Sequence, residues 1–514
     1  MTWLQFQKNM KKYDVVIIGS GLGGLICGYI LGKNGFKVSI LEKHTQPGGC
    51  LQTFVRKGIT FDTGMHYVGS MEKGQLLYNI FSYLNLLKDV KLHKLDTDGF
   101  EHISLNGREY RFAMGYENFV EKLSENFPNE REALIKYTSD LQKYATSSPI
   151  FNREKLASSE FYSHEAVKTG IGEYLDSLTK NKELQNVLSS TNMLYAGKRE
   201  KTPLYIHALI NNFYIQSAWR IVGGANSIAN SLCKSIQGFG GEIFTGAEVK
   251  SINCNTSRAT SVTLANGEII ESKYFISNTH PAVTLDMLET SLIKKIYRER
   301  IHNVENTVSN FVLYIEFKPD TVPYINYNYY KYNTGNVWDC FSYTPENWPR
   351  NYIFMHQVPL KNPAYAESGV LISYMKFDEV KKWEDTFIGR RGNDYKLFKE
   401  ARKEILLQQL ENDFPGIRNN IKEVYTSSPL TLRDYTGTKE GSMYGILKDK
   451  NCPEQTLISH HTKVPNLFFT GQNINSHGIL GVAVSAVITS SEFVELKKVV
   501  NDFFYFHNGD SPEK

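Results

Sequence analysis

Three glycines and one acid near the start of the chain have the types and spacing that bind a dinucleotide. Gly19, Gly21 and Gly24 form the pattern G-x-G-x-x-G, and Glu42 follows about 20 residues further on. The first glycine permits a tight turn, the second lets the backbone approach a pyrophosphate, and the third lets a helix pack closely on a strand. Glu42 stands where a carboxylate accepts hydrogen bonds from ribose hydroxyls. With no partner for a 2′-phosphate beside it, Glu42 favours FAD or NAD over NADP.

The elements around these glycines occur in the order that dinucleotide binding requires. Residues 15–18 are a continuous apolar run, typical of a strand buried on both faces of a parallel sheet. Residues 22–31 predict a helix whose first N–H groups point at phosphate oxygens, and residues 36–41 predict a second strand that ends at Glu42. This order favours a dinucleotide site over the alternative, a tight turn with a purely structural role.

Three blocks of the sequence resemble one family. They are residues 13–69, which contain a second glycine pair at Gly48 and Gly49, residues 219–252, and residues 428–491. In this order they resemble the FAD-dependent amine oxidase and phytoene desaturase superfamily, and within it the retinol saturases most, with carotenoid isomerases as cousins. Carotenoid desaturases usually carry Arg after the double glycine, where this chain has Cys50. The resemblance implies FAD as the cofactor and favours a saturase over a desaturase.

The resemblance also implies further cofactor contacts. It places the backbone of Val249 against the adenine, and the turn at Gly471 and Gln472 beside the flavin. The helix predicted over residues 478–491 would offer its first N–H groups to negative charge on a reduced flavin ring. An ordinary alternating strand at Val249 and a plain strand-turn-helix at the second site are the alternatives.

Two histidines are candidate catalytic residues. The family pattern places His66 near the flavin or substrate, and His477 precedes the predicted helix at Gly478. A lone histidine is more often a structural hydrogen-bonding residue, which is the alternative for both. Neither has the spaced partners of a triad or a metal site, so we expect no metal. The cofactor carries the hard chemistry, which explains why the sequence shows no obvious catalytic constellation.

The blocks predict an α/β fold with two units. A Rossmann-type FAD-binding domain, like that of glutathione reductase, would be assembled from residues 13–110, 216–285 and 425–495. Residues 111–215 and 286–424 would form an inserted α+β substrate domain, and residues 496–514 a C-terminal tail. Within the insertion, residues 114–195 have helical spacing, residues 308–376 alternate like strands, and residues 378–413 return to charged helix.

An excess of aromatic residues in the insertion has two interpretations. Their flat faces would line a tunnel for a polyene, or they would form the core of a sheet. The residues are Tyr324, Tyr327, Tyr329, Tyr330, Tyr332, Trp338, Phe341 and Tyr343.

Composition excludes some classes of function and location. A net charge of +4 on 514 residues is too small to indicate nucleic-acid binding. The 6 cysteines are far apart, which fits a reducing cytoplasm. Residues 76–94 and 499–508 combine apolar and basic positions, so peripheral contact with a membrane is a hypothesis beside internal packing.

The sequence therefore predicts a flavoprotein that acts on C=C bonds of an isoprenoid polyene. Saturation is favoured, with desaturation and cis/trans isomerisation as alternatives on the same fold, and amine oxidation as a weaker one. A prenyl or lipid carrier without enzymatic activity is the alternative from another class. The partners would be a hydrophobic small molecule and an electron donor or acceptor that the sequence does not identify.

Overall fold

A computed structural model describes residues 12–146, 165–495 and Val499. The strands are β1 Lys12–Ile18, β2 Val38–Leu41, β3 Thr53–Arg56, β4 Ile59–Asp62, β5 Val68–Gly69, β6 Leu92–Lys94, β7 Glu101–Leu105, β8 Arg108–Phe112, β9 Ala218–Ile221, β10 Glu242–Phe244, β11 Val249–Cys254, β12 Ala259–Leu264, β13 Ile269–Ser277, β14 Ser309–Phe317, β15 Asn328–Tyr332, β16 Asn351–His356, β17 Ser368–Met375, β18 Ile421–Ser427 and β19 Leu467–Phe469.

The α-helices of the described residues alternate with these strands. They are α1 Leu22–Lys33, α2 Leu76–Tyr83, α3 Tyr116–Ser124, α4 Arg131–Thr146, α5 Glu165–Lys168, α6 Ile171–Leu178, α7 Lys182–Leu188, α8 Leu204–Gln216, α9 Asn226–Gly238, α10 Pro281–Asp286, α11 Lys295–Asn303, α12 Asn393–Asp413, α13 Pro429–Thr436, α14 Pro453–Thr456 and α15 Gly478–Ser490.

The first sheet has the order β10-β2-β1-β13-β12-β11, and β19 also pairs with β13. β1 is parallel to both β2 and β13, and β19 is parallel to β13. Helices α9 and α15 both contact α1, which follows β1. The apolar run of β1 is fully buried because the sheet is covered on both faces, as the sequence predicts. The predicted strand, helix and second strand are all confirmed.

The second sheet has the order β18-β14-β17-β16-β15-β7-β8. Its pairs are antiparallel except β15 with β7. Residues 101–110 belong to this sheet, although the sequence predicted them in the first unit, and β18 crosses the predicted boundary at residue 424. The reason is that β7 pairs with β15, which comes far later in the chain, and such pairing leaves no local pattern to detect.

Helices cover the second sheet as predicted. Helices α3, α4, α6 and α7 lie within residues 114–195, and α12 occupies the end of the charged segment at 378–413. Residues of α3, α4 and α8 share one hydrophobic core with β7, β8 and one face of β14 to β17, while the other face packs with α12. The eight aromatic residues of the insertion belong to these two cores or pack against them.

The first segment considered for membrane contact is packed inside the protein. Leu77, Ile80 and Phe81 of α2 are buried in the core of the first sheet. The second segment, residues 499–508, lies outside the described residues except for Val499. In the part of the chain that the structure describes, no helix combines the length and apolar character needed to cross a bilayer.

Candidate functional site

The first glycine loop has the geometry that its sequence predicts. Gly19 has φ +92°, a conformation that side chains disfavour, and Gly21 immediately precedes α1. A Cβ on Gly24 would lie 2.2 Å from the carbonyl oxygen of Gly19, so only glycine allows this close start of the helix. α1 begins with no side-chain cap and no acidic residue in its first turn. Its first N–H groups are therefore offered to an anion rather than to the protein.

Two further glycine sites meet this loop. Gly48 pairs with Gly21 in an isolated parallel bridge, and a Cβ on Gly49 would lie 3.1 Å from the Cα of Gly21. A Cβ on Gly23 would lie 3.0 Å from the Cα of Gly471. Three segments that are distant in sequence thus approach each other backbone to backbone. Gln472 follows Gly471 and is half-buried.

Glu42 is held rigidly at the end of β2. One carboxylate oxygen accepts hydrogen bonds from the backbone N–H and hydroxyl of Ser20, and the other accepts from the N–H of His44 at 2.9 Å. The oxygen that accepts from His44 keeps a lone pair for a ribose hydroxyl. The N–H of Ala247 donates to the carbonyl of Glu42 at 2.8 Å, and Val249 begins β11 two residues later. Val249 therefore lies two residues from a direct backbone contact with Glu42, and its contact with an adenine stays a prediction.

Asn278 joins the glycine sites and is absent from the sequence-based predictions. A Cβ built on Gly21, Gly23 or Gly471 would lie within 2.7, 2.6 or 2.5 Å of its amide group. Its N–H donates to the carbonyl of Ile18 at the end of β1. The available signal was its position directly after β13, because ligands bind beyond the carboxyl ends of parallel strands. Only the pairing of β13 with β1 shows that these ends coincide.

A cavity of about 170 Å³ lies between the start of α15 and the second sheet. Aliphatic and aromatic side chains form most of its wall, from α8, β16, β17 and α15. The residues that line it are Cys50, Thr63, Gly64, Met65, His66, Tyr67, Val68, Met193, Leu194, Leu209, Ile210, Phe213, Tyr214, Asn310, Ile353, Met355, Ile372, Leu432, Met443, Tyr444, Ser476, His477, Gly478, Ile479, Leu480 and Gly481. None of the eight aromatic residues of 324–343 is among them, so the sheet-core interpretation of that cluster holds.

Both candidate histidines line this cavity, in neutral form. Burial lowers the pKa of His66 to about 4, with a contribution from the positive charge of Arg220. Burial also lowers the pKa of His477 to about 4, and its Nε2 lies 3.1 Å from the carbonyl oxygen of Leu194. The ring of His477 packs against Tyr444 with centroids 4.4 Å apart. His477 thus has the contacts of a structural residue, while His66 keeps surface towards the cavity.

The start of α15 forms one side of the cavity. This helix has His477 at its N-cap, with no side-chain cap and no acidic residue in the first turn. The positive end of its helix dipole therefore lies at the cavity wall, at Gly478.

A buried lysine, which no sequence pattern indicates, holds the turn before this helix. Lys448 is 5% exposed, and its ammonium group donates to the carbonyls of Thr456, Asn473 and Ile474 at 2.8, 2.9 and 3.0 Å. Burial lowers its pKa to about 7. Three carbonyl acceptors satisfy its three donors, which holds the backbone just past Gln472 in place.

A buried acid stands behind the cavity wall. Tyr67 lines the cavity, and its hydroxyl donates to Oε1 of Glu101 at 2.7 Å, while Tyr330 donates to the same oxygen at 3.2 Å. Burial raises the pKa of Glu101 to about 7. The second carboxylate oxygen has no partner among the described residues. Glu101 is too deep to touch a ligand, so this cluster fixes the position of Tyr67.

The uncapped helix α1, the three glycine sites and the fixed carboxylate of Glu42 fit a dinucleotide, and the apolar cavity lies beside them. A Rossmann-type sheet joined in this way to a second, antiparallel sheet defines a flavin-dependent oxidoreductase with a separate substrate-binding layer. The chain belongs to the family of flavin-containing amine oxidoreductases, whose model matches residues 22–492. Its cofactor is FAD.

Relatives and solved structures agree with this assignment. All-trans-retinol 13,14-reductase of Rattus norvegicus is 27% identical, over 94% of this chain and 86% of the relative. Chloroplastic prolycopene isomerase of Daucus carota is 25% identical, over 93% of this chain and 79% of the relative. The crystal structure of an oxidoreductase from Methanosarcina mazei has the same fold, with TM-score 0.62 and 17% identity over 93% of this chain and 99% of that chain.

Proposed function

We propose that this protein reduces a C=C bond of an isoprenoid polyene, as a saturase similar to the retinol reductases. The observation that carries the proposal is the apolar cavity between the start of α15 and the aliphatic residues of β16 and β17. It suits a long hydrocarbon chain, and the two histidines in its wall are neutral. Among the described residues no Asp or Glu lines this cavity, so it offers no carboxylate to the cation of an amine substrate.

Most of the protein's work in this reaction is binding and orientation. FAD, when bound and reduced, would supply the hydride for one carbon of the double bond, and a proton would be added at the other carbon. We assign its binding to Gly19, Gly21, Gly24, Glu42, Gly48, Gly49, Val249, Gly471 and Gln472. The uncapped start of α15 stabilises negative charge on the cofactor side of the cavity. The apolar wall excludes water and holds the polyene flat.

The alternatives share the cavity. The similarity to a prolycopene isomerase supports cis/trans isomerisation as the second candidate, and desaturation is the reverse of the favoured reaction. A carrier of the same fold has no use for an uncapped α1 and three glycine sites in backbone contact, and these features are intact here.

The test is an anaerobic reaction with the purified FAD-containing protein. The flavin is reduced, all-trans-retinol in detergent is added, and the flavin and polyene absorption bands are followed together. If the protein is a saturase, the polyene absorption band moves to shorter wavelength, and one polyene molecule is converted for each flavin that is reoxidised. Oxidised protein with the same polyene is the control that detects isomerisation. A reduced flavin that stays reduced with retinol and with carotenoids would reject the proposal.

A loop of the second unit supports peripheral contact with a membrane, from which such a substrate must come. Phe387 and Ile388 are 77% and 52% exposed, and the exposed Asp385, Arg390 and Lys396 lie near them in the chain. An exposed apolar tip is the arrangement that inserts into a lipid surface. In a flotation assay with vesicles containing phosphatidylserine, the protein should float, and Phe387→Ser with Ile388→Ser should reduce the floating fraction several-fold. Equal flotation of both proteins would exclude this loop.

A further inference from the structure

A second, much smaller cavity adjoins the main one. It has a volume of about 10 Å³, enough for one water-sized group, and Asp62, Arg220, His356 and Gln357 contribute its polar lining. His66 and Met355 line both cavities, so the small one, called the side pocket below, lies directly beside the large one.

Arg220 brings an incompletely satisfied cation to this side pocket. It lies on β9, it is 2% exposed, and its Nη2 donates to the carbonyl of Tyr327 at 2.9 Å. Its Nε has no partner among the described residues. A buried N–H without an acceptor costs free energy, so this donor calls for a ligand or a water molecule.

His356, which also lines this pocket, carries a second N–H donor without a partner in the described part of the chain. It is the last residue of β16 and is 1% exposed. Its Nδ1 accepts a hydrogen bond from the N–H of Ile325 at 3.2 Å. Burial and the charge of Arg220 lower its pKa to about 3, so the ring is neutral and its proton is on Nε2. That Nε2 has no partner among the described residues.

Asp62 supplies a hydrogen-bond acceptor to the pocket, whereas Arg220 and His356 supply donors. It is 6% exposed, and its Oδ1 accepts from the N–H of Ala225 at 2.7 Å. Two N–H donors and one carboxylate surround this small space. An alcohol group fits it, because its single oxygen both accepts and donates hydrogen bonds. A hydrocarbon would leave both N–H groups unsatisfied.

We propose that the side pocket binds the terminal hydroxyl of a polyene alcohol whose chain lies in the main cavity. Nε of Arg220 and Nε2 of His356 donate to the hydroxyl oxygen. The inference rests on the proposed function and narrows its substrate class to isoprenoid alcohols, as distinct from carotene hydrocarbons. Arg220 and His356 are then specificity-determining residues.

Binding to the oxidised, FAD-containing protein tests this without turnover. Two ligands of equal chain are compared by retinoid fluorescence: all-trans-retinol and the hydrocarbon in which hydrogen replaces the hydroxyl. Retinol should bind about ten-fold or more tighter than the hydrocarbon, because the hydrocarbon leaves buried donors unpaired. His356→Leu should erase this preference, and His356→Gln, which keeps an N–H donor, should retain it.

The outcomes separate the inference from the proposed function. Equal binding of alcohol and hydrocarbon to the unchanged protein, or a preference that survives His356→Leu, would mean that the pocket holds a structural water only, and would overturn the inference. Turnover of a polyene in the anaerobic assay would leave the proposed function standing in that case. If His356→Leu does not retain flavin, Arg220→Met and Arg220→Lys give the same comparison. Failure of retinol to bind at all would overturn the inference with its substrate class.

Discussion

The two seven-stranded sheets satisfy their buried polar groups in different ways. Among the described strand residues of the first sheet, only Ser39 on β2 has a buried side-chain oxygen or nitrogen without a hydrogen-bond partner. In the second sheet such atoms occur on four strands, in Glu101, Ser309, Glu316, Asn328, Asn351 and His356. The cofactor side is thus built from backbone and apolar side chains, whereas the substrate side contains polar side chains that the fold alone does not satisfy.

This difference indicates how each half obtains its specificity. A dinucleotide is recognised through backbone N–H groups and the absence of side chains at glycines, which tolerates little change. A substrate is recognised through buried polar side chains that have lost water and have no hydrogen-bond partner within the fold. Such side chains differ between enzymes that share one fold. Substitutions in the first half should therefore remove the cofactor, and substitutions in the second should change stability or substrate use while FAD stays bound.

The largest effect is expected at Gly21. In Gly21→Val, the new side chain meets only the amide group of Asn278, which can move, and otherwise fills the space offered to the pyrophosphate. The protein should fold and lose nearly all of its flavin, measured by the absorption of purified protein. Gly238→Ala is the control, because nothing lies within 4 Å of its added Cβ. A folded Gly21→Val protein that remains yellow would disprove the placement of the pyrophosphate.

Gly24→Val separates folding from binding in the same loop. Here the Cβ meets the backbone oxygen of Gly19 at 2.2 Å, which cannot move without disrupting β1 and α1. This variant should lose both its flavin and its cooperative thermal transition. Retention of a normal transition would show that the loop is more adaptable than its contacts indicate.

A pH-dependent effect on stability is expected at Glu101. Its pKa is raised by burial from 4.5 to about 7, so between these pH values the unfolded chain releases this proton while the folded protein keeps it. The stability of the unchanged protein relative to Glu101→Gln should therefore fall as pH rises through this range, by about 3 kcal/mol in total. Urea unfolding of both proteins at pH 4.5, 6 and 7.5 measures this difference in the free energy of unfolding. Asp62 is present in both proteins, so its own titration drops out of the difference. A pH-independent difference would contradict the buried, protonated acid.

The smallest effect is expected in the cavity itself. Ile210→Trp puts a larger side chain into the space of about 170 Å³ and should lower turnover of a polyene by about ten-fold, with flavin content and its spectrum unchanged. Ile210→Val is the matched control and should keep the rate within a factor of two to three. Normal turnover in Ile210→Trp would place the substrate elsewhere.

The cofactor half was readable from sequence because its signals are local. The strand over 15–18, the glycines after it and the helix that follows lie within about two dozen residues, and each choice of residue follows from the turn or the close approach that it must allow. His66 and His477, the two histidines singled out from the sequence, both line the main cavity. What these two histidines do in the reaction stays a prediction.

Only the tertiary structure decided the rest. Asn278 reaches the glycine sites because β13 pairs with β1, Glu101 enters the second sheet because β7 pairs with β15, and Arg220 meets His356 because β9 and β16 approach across the two units. None of these encounters has a local pattern, since strand pairing depends on the whole hydrophobic arrangement and not on neighbours in sequence. The sequence by itself determined that this chain binds a dinucleotide, and three-dimensional packing determined which side chains are left to recognise its substrate.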